Sequence, residues 1–125
     1  MPKRSNIFQE VIAIIHAHIS DEKATVTESK ELVDRVAGQL REVDICIEQE
    51  MSGQNIVIGI ECRDHGRKPT IEWVEQMYGK HALLTDKLVL ISRTGFTAPA
   101  LVKAKALRIS TIRLEAEVPR ACKGS

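Results

Sequence analysis

The sequence predicts an α/β fold, a mixed sheet with helices on its faces, in the order helix, three-stranded meander, helix, strand, helix, strand (α-β-β-β-α-β-α-β). Three observations lead there. Apolar residues recur at helical spacing near the N-terminus and again from Ile71 onward. Between them, Val43, Ile45 and Ile47 alternate with Asp44, Cys46 and Glu48, and Ile56, Ile58 and Ile60 alternate with Val57, Gly59 and Glu61, which is the period of a strand. Further on, KLVLIS (Lys87 to Ser92) is the near-continuous apolar run of a strand covered on both faces.

The first helix opens at Asn6, a capping residue type with Gln9 in the capping-box position, and Phe8, Val11, Ile12, Ile15 and Ile19 make its apolar face. His16 and His18 are two apart and so do not share a face, which argues against a helical metal pair. Ser20 to Lys23 is a polar connection. ATVTESKELVDRVAG then has the β-branched content of a strand that turns near Gly38 and pairs with the strand carrying Asp44. In that pairing Asp34 and Arg35 are expected to form cross-strand pairs with Arg41 and Glu42. After the next two strands, Thr70 caps a helix to about Leu84 whose buried stripe is Ile71, Val74, Met77 and Tyr78, and Trp73 reads as a core or dimer-contact residue. Thr97 caps another helix, Ala98 to Leu107, with Pro99 tolerated in its first turn. RISTIRL follows as a strand, so that strand, helix and strand form a right-handed parallel crossover. Residues 1–125 read as one domain with a core of about 6–114 and a weakly ordered tail, 115–125.

The chemistry concentrates between Arg41 and Asp64. Ser52-Gly53 supplies the turn between the two alternating strands. With those residues at the loop centre, Asp44 falls directly opposite Glu61, with Cβ atoms about 4.5–5.5 Å apart. Like charges opposed on one sheet face repel unless a cation sits between them, and a hard divalent ion such as Mg²⁺ takes carboxylate oxygens and keeps waters free to act on a phosphate. Arg63 emerges on the same face as Glu61, suited to holding a phosphate. The same acids also fit an ordinary half-solvated sheet face, each paired with an arginine. The loop DHGRKP follows, and Arg63, His65, Arg67 and Lys68 make the densest basic cluster in the chain, fitting either a phosphate-contacting loop or a solvated turn.

REVDICIE, IGIECRD, WVEQMYGK and LVLISRTGFTAPALVKAKAL together resemble the catalytic core of the restriction-endonuclease-like superfamily with the D…(D/E)-x-K motif, in feel its Mrr-like restriction endonucleases, from about Phe8 to Leu114. The resemblance implies a restriction-endonuclease-like mixed sheet and Mg²⁺- or Mn²⁺-dependent hydrolysis of DNA phosphodiesters. It makes Asp44 and Glu61, with the Cys62 carbonyl, the metal-binding set. The motif lysine falls at Arg63, so the motif reads D…E-C-R, and arginine stays protonated where a lysine exchanges its proton. Glu72, Gln76 and Lys80 follow one another at four-residue spacing. That row is either an exposed ladder or, if it faces the acids, a means of supplying the missing ammonium from Lys80, as members of the superfamily do from this helix. Glu10 stands where a first-helix acid sometimes completes the metal site in this superfamily, and otherwise reads as a solvated carboxylate. Dimeric cutting among these nucleases makes a homodimer the expectation by analogy.

Composition bounds these readings. The formal charge of +1 leaves nucleic-acid contact to a local basic patch rather than the whole surface. Cys46, Cys62 and Cys122 form no C-x-x-C pair and no zinc spacing, which fits a reducing cytosol. No apolar run approaches a membrane span, and MPKRSN lacks the apolar region of a signal peptide. Scarce aromatics disfavour a stacking platform for single strands. The leading expectation is a DNA endonuclease. The alternative is a nuclease-fold domain that has lost catalysis and serves DNA binding or assembly. No Gly-rich phosphate loop follows an early strand, which disfavours a small-molecule domain.

Overall fold

Eight elements follow one another in the computed structural model, which describes residues 6–18, 24–64 and 66–114. They are α1 (Asn6–His18), β1 (Ala24–Val33), β2 (Leu40–Met51), β3 (Gln54–Arg63), α2 (Ile71–His81), β4 (Lys87–Ser92), α3 (Ala98–Ala106) and β5 (Ser110–Arg113). This is the order expected from the sequence. Ile19, the 20–23 connection, His65, Cys122 and the 115–125 tail lie outside the described residues.

The five strands form one sheet in chain order, β1-β2-β3-β4-β5. The first two pairings are antiparallel and the last two parallel. Ser52 and Gly53 both have positive φ, 51° and 79°, the backbone twist that a two-residue hairpin requires, and Met51 pairs with Gln54 across them. β4 lies between β3 and β5 and is covered on both faces. Leu88 and Leu90 join Trp73, Val74, Phe96, Ala100, Ala104 and Ile109 in the core under α2 and α3, while Ile91 joins Ile7, Phe8, Val11, Ile45 and Ile60 in the core under α1. That double burial is why KLVLIS carries no alternation. Fully buried side chains such as Ile45, Val74 and Leu90 each contribute about 1.5–3 kcal/mol by leaving water.

Thr97 caps α3 as expected, its hydroxyl accepting from the Ala100 N–H at 3.3 Å. Thr70 occupies the cap position of α2 in an extended conformation but makes no side-chain cap hydrogen bond. α2 ends at His81, short of Leu84, because the chain tightens there: the Leu84 N–H bonds back to the His81 carbonyl. Its buried face is Trp73, Val74 and His81, and Tyr78 is 45% exposed rather than in the stripe. Trp73 is a core residue, stacked on Phe96 with ring centroids 6.2 Å apart.

The expected pairs of Asp34 and Arg35 with Arg41 and Glu42 do not form as strand pairs. β1 ends at Val33, and Asp34 instead folds the turn onto itself, its carboxylate accepting from the Val36 and Ala37 N–H groups. Arg41 and Glu42 pair with Leu32 and Glu31. Arg35 reaches away from the hairpin, its Nε donating to the Leu83 carbonyl at 3.0 Å. That bond ties the β1–β2 turn to the segment just after α2. Within β1, Ser29 has a positive φ of 50° and sits opposite Asp44, between the Glu28–Ile45 and Lys30–Val43 pairs.

Candidate active site

Asp44 and Glu61 come together as the hairpin register requires. The pairing of Ile45 with Ile60 makes Asp44 and Glu61 the next opposed pair. Ile45 and Ile60 turn into the core under α1, so both acids turn to the other face, beneath α2. There Asp44 Oδ2 accepts from the Cys62 N–H at 3.0 Å. Glu61 is 5% exposed, and a single oxygen, Oε2, accepts from Lys80 Nζ at 2.8 Å and from His81 Nε2 at 2.7 Å.

The two carboxyls are pushed in opposite directions. Burial raises Asp44 above the usual carboxylate range; the Cys62 amide works against this and the Glu61 charge adds to it. Burial acts on Glu61 in the same sense, but the hydrogen bonds from His81 and Lys80 outweigh it and hold the carboxyl low. A like-charged pair of this kind resists double ionisation, and a divalent cation relieves that resistance. Two hard oxygen donors converging from neighbouring strands, the remaining positions filled by water, fit Mg²⁺ or Mn²⁺. Among the described residues, no group of three or more His, Cys, Asp or Glu side chains could hold a metal ion. Burial pushes the Cys46 thiol up to about 11. The Cys62 thiol is pushed up to about 12 by burial and by the charges of Asp44 and Glu61, which makes a poor nucleophile of each.

Of the two cations that the sequence offers for the motif position, it is Lys80 that meets Glu61. Arg63 lies with its guanidinium carbon 4.6 Å from the centre of the Trp73 ring. Lys80 is one heptad beyond Trp73, and His81 one heptad beyond Val74, so both follow the buried stripe of α2 instead of an exposed ladder. Glu10 is not drawn to the acid pair. Its carboxylate receives both terminal nitrogens of Arg93, at 3.2 and 2.7 Å, on an α1 that packs against the opposite sheet face. Arg93 also approaches Asp64 at 3.5 Å. Arg67 and Lys68 are exposed on the loop after β3, and His65 lies outside the described residues. That loop is tied to the one after β4: the Arg67 carbonyl accepts from the Thr94 hydroxyl, and the Pro69 carbonyl from the Thr97 N–H.

His81 is the site residue that sequence reasoning missed. Its readable signal is Gly59, an isolated glycine inside a strand and a mark of close approach. A Cβ there would lie 2.7 Å from His81 Cε1 and 2.9 Å from Thr85 Cγ2.

Fold and site together define a mixed α/β protein carrying a half-buried and a buried carboxylate side by side, the buried one gripped by a lysine and a histidine. No family model matches the chain, and no curated protein matches it. Among solved structures it is similar to AF1548, a protein of unknown function, with a TM-score of 0.66 and 16% identity over 83% of this chain and 55% of that one. It is also similar to EndoMS in apo form, with a TM-score of 0.41 and 12% identity over 94% of this chain and 49% of that one. The chain therefore spans about half the length of each. The likeness to AF1548 supports the fold.

Proposed function

We propose that this domain is a metal-dependent DNA endonuclease of the restriction-endonuclease-like class, in its Mrr-like branch. The observation that carries the reading is the convergence of Asp44 and Glu61 from neighbouring strands with the Lys80 ammonium 2.8 Å from Glu61, the three charges the D…(D/E)-x-K chemistry needs. Asp44 and Glu61, with the Cys62 carbonyl, would hold Mg²⁺ or Mn²⁺. When bound, the ion makes a water nucleophilic and shields the phosphate charge. Lys80 takes the part of the motif lysine, stabilising negative charge that develops beside Glu61. Arg63, braced on Trp73, adds fixed positive charge on the same face, and His65, Arg67 and Lys68 contact DNA phosphates. A homodimer would cut both strands. Free thiols at Cys46 and Cys62 suit a reducing, cytosolic setting, and among the described residues no helix is long and apolar enough to cross a membrane.

A second reading has one observation in its favour. Both Lys80 and His81 bond to the same Glu61 oxygen, so the chain itself already balances that acid, as expected of a nuclease-fold domain kept for DNA binding or assembly. Plasmid nicking with Mg²⁺ or Mn²⁺ separates the two. Nicking that disappears in Asp44→Ala and Glu61→Ala supports the endonuclease. DNA affinity with no metal-dependent cleavage of any DNA form supports the second reading.

A further inference from the structure

We infer that His81 is a positioning residue for Glu61, and that position 59 is glycine in order to seat it. The inference rests on the metal-binding reading of Asp44 and Glu61. The imidazole is 3% exposed and engaged at both nitrogens: Nε2 faces Glu61 Oε2 at 2.7 Å and Nδ1 faces the Thr85 hydroxyl at 3.0 Å. The β3 backbone closes the third side. At position 59 an ordinary side chain would put its Cβ 2.7 Å from Cε1 and 2.8 Å from Nδ1, inside contact distance. The ring therefore has one place to be, and the carboxylate it holds inherits that constraint.

The consequence concerns which oxygen is available. Lys80 and His81 both bond to Oε2. With two donors on Oε2 the carboxylate is held in one orientation, and Oε1, the oxygen that neither of them takes, is the one a cation shared with Asp44 would use. Lys80 alone, on a flexible stem, would leave the carboxylate free to rotate. A rigid aromatic donor removes that freedom, as outer partners of metal ligands commonly do.

The test measures Mn²⁺ binding to the DNA-free 125-residue chain by calorimetry, beside the metal dependence of plasmid nicking and the melting temperature. His81→Ala is expected to weaken Mn²⁺ binding by roughly 10–100-fold, the usual loss when an outer partner of a ligand is removed. The metal concentration for half-maximal nicking rises with it, while the rate at saturating metal is largely retained. His81→Gln, whose amide nitrogen can reach towards Oε2, recovers part of the affinity. Gly59→Ala reproduces the His81→Ala defect but adds little to the loss of Mn²⁺ affinity in the double variant, because with the imidazole gone only the Thr85 methyl, 2.9 Å from the new Cβ, has to move. Unchanged Mn²⁺ affinity in His81→Ala, with only a lower melting temperature, overturns the inference and leaves His81 a packing residue. Tighter binding overturns it too, by making His81 an obstacle to the cation. A wild-type chain that binds no Mn²⁺ removes the metal reading itself, and the positioning role falls with it.

Discussion

Replacing Lys80 by Met keeps the aliphatic stem and deletes the ammonium. The ion pair it destroys spans 2.8 Å between side chains 15% and 6% exposed. At an effective dielectric constant near 20 the gross attraction at that distance is about 6 kcal/mol, most of it offset by the desolvation of both charges. Removing one partner of a buried pair costs about 3–5 kcal/mol, since the other is left uncompensated. His81 stays on the same oxygen at 2.7 Å. The loss should therefore sit at the low end, about 3 kcal/mol, or on the order of 10 °C in melting temperature for a domain of this size. The pH dependence gives a sharper test. Glu61 has a lowered carboxyl in the folded state because its bonds to His81 and Lys80 outweigh burial. A carboxyl lowered by folding contributes stability that is present above its unfolded value and is lost as pH falls through the folded one. The gap between wild type and Lys80→Met should thus be widest at neutral pH and close in acid. Denaturation followed by circular dichroism across that range measures it. A gap that persists undiminished in acid, or one below about 1 kcal/mol at neutral pH as for a surface pair, refutes the reasoning.

Asp44→Asn removes a carboxyl that burial raises, while its amide oxygen can still accept from the Cys62 N–H. A raised carboxyl costs stability above its folded value, so the variant should melt higher at neutral pH and lose that gain in acid, even as metal-dependent nicking disappears. Equal or lower stability at neutral pH would contradict this. Arg63→Lys gives up the guanidinium stack on Trp73, about 0.5–1 kcal/mol by chemical denaturation, yet nicking should be retained or raised because Lys80 already stands at Glu61. Arg93→Ala breaks the two-pronged bond to Glu10, which is partly exposed, at a cost of about 1 kcal/mol. Its amide exchange should quicken in α1 before it does in β4, and uniform quickening would count against an α1 tether.

Much of this was legible beforehand because short-range rules decided it. With Ser52-Gly53 at the loop centre, the alternation on the two strands opposes Asp44 to Glu61, and the structure has that register. The bounds of β4 and the cap of α3 were likewise written locally, in KLVLIS and Thr97. What local rules could not decide was the rotation of α2 against the sheet. Four-residue spacing groups Lys80 with Glu72 and Gln76, but the burial of Trp73 and Val74 turns the helix so that Lys80 faces inward and Tyr78 outward. The Glu10–Arg93 and Arg35–Leu83 contacts join residues far apart in the chain, which no window of periodicity spans. His81 escaped notice for the same reason, although Gly59 marked the gap it fills.

Strand order that simply repeats chain order has a kinetic meaning. No strand must wait for a distant stretch to slot between it and its neighbour, so loop-closure penalties stay small and refolding should be quick for a sheet with parallel pairs. The β2–β3 hairpin has the shortest loop to close and already joins Asp44 to Glu61, so it is expected to form before α2, with Lys80 and His81, docks. For an interval the nascent chain should hold two facing acids without the grip of Lys80 and His81, and pulse-labelled exchange that protects Ile45 and Ile60 before Leu90 would record it.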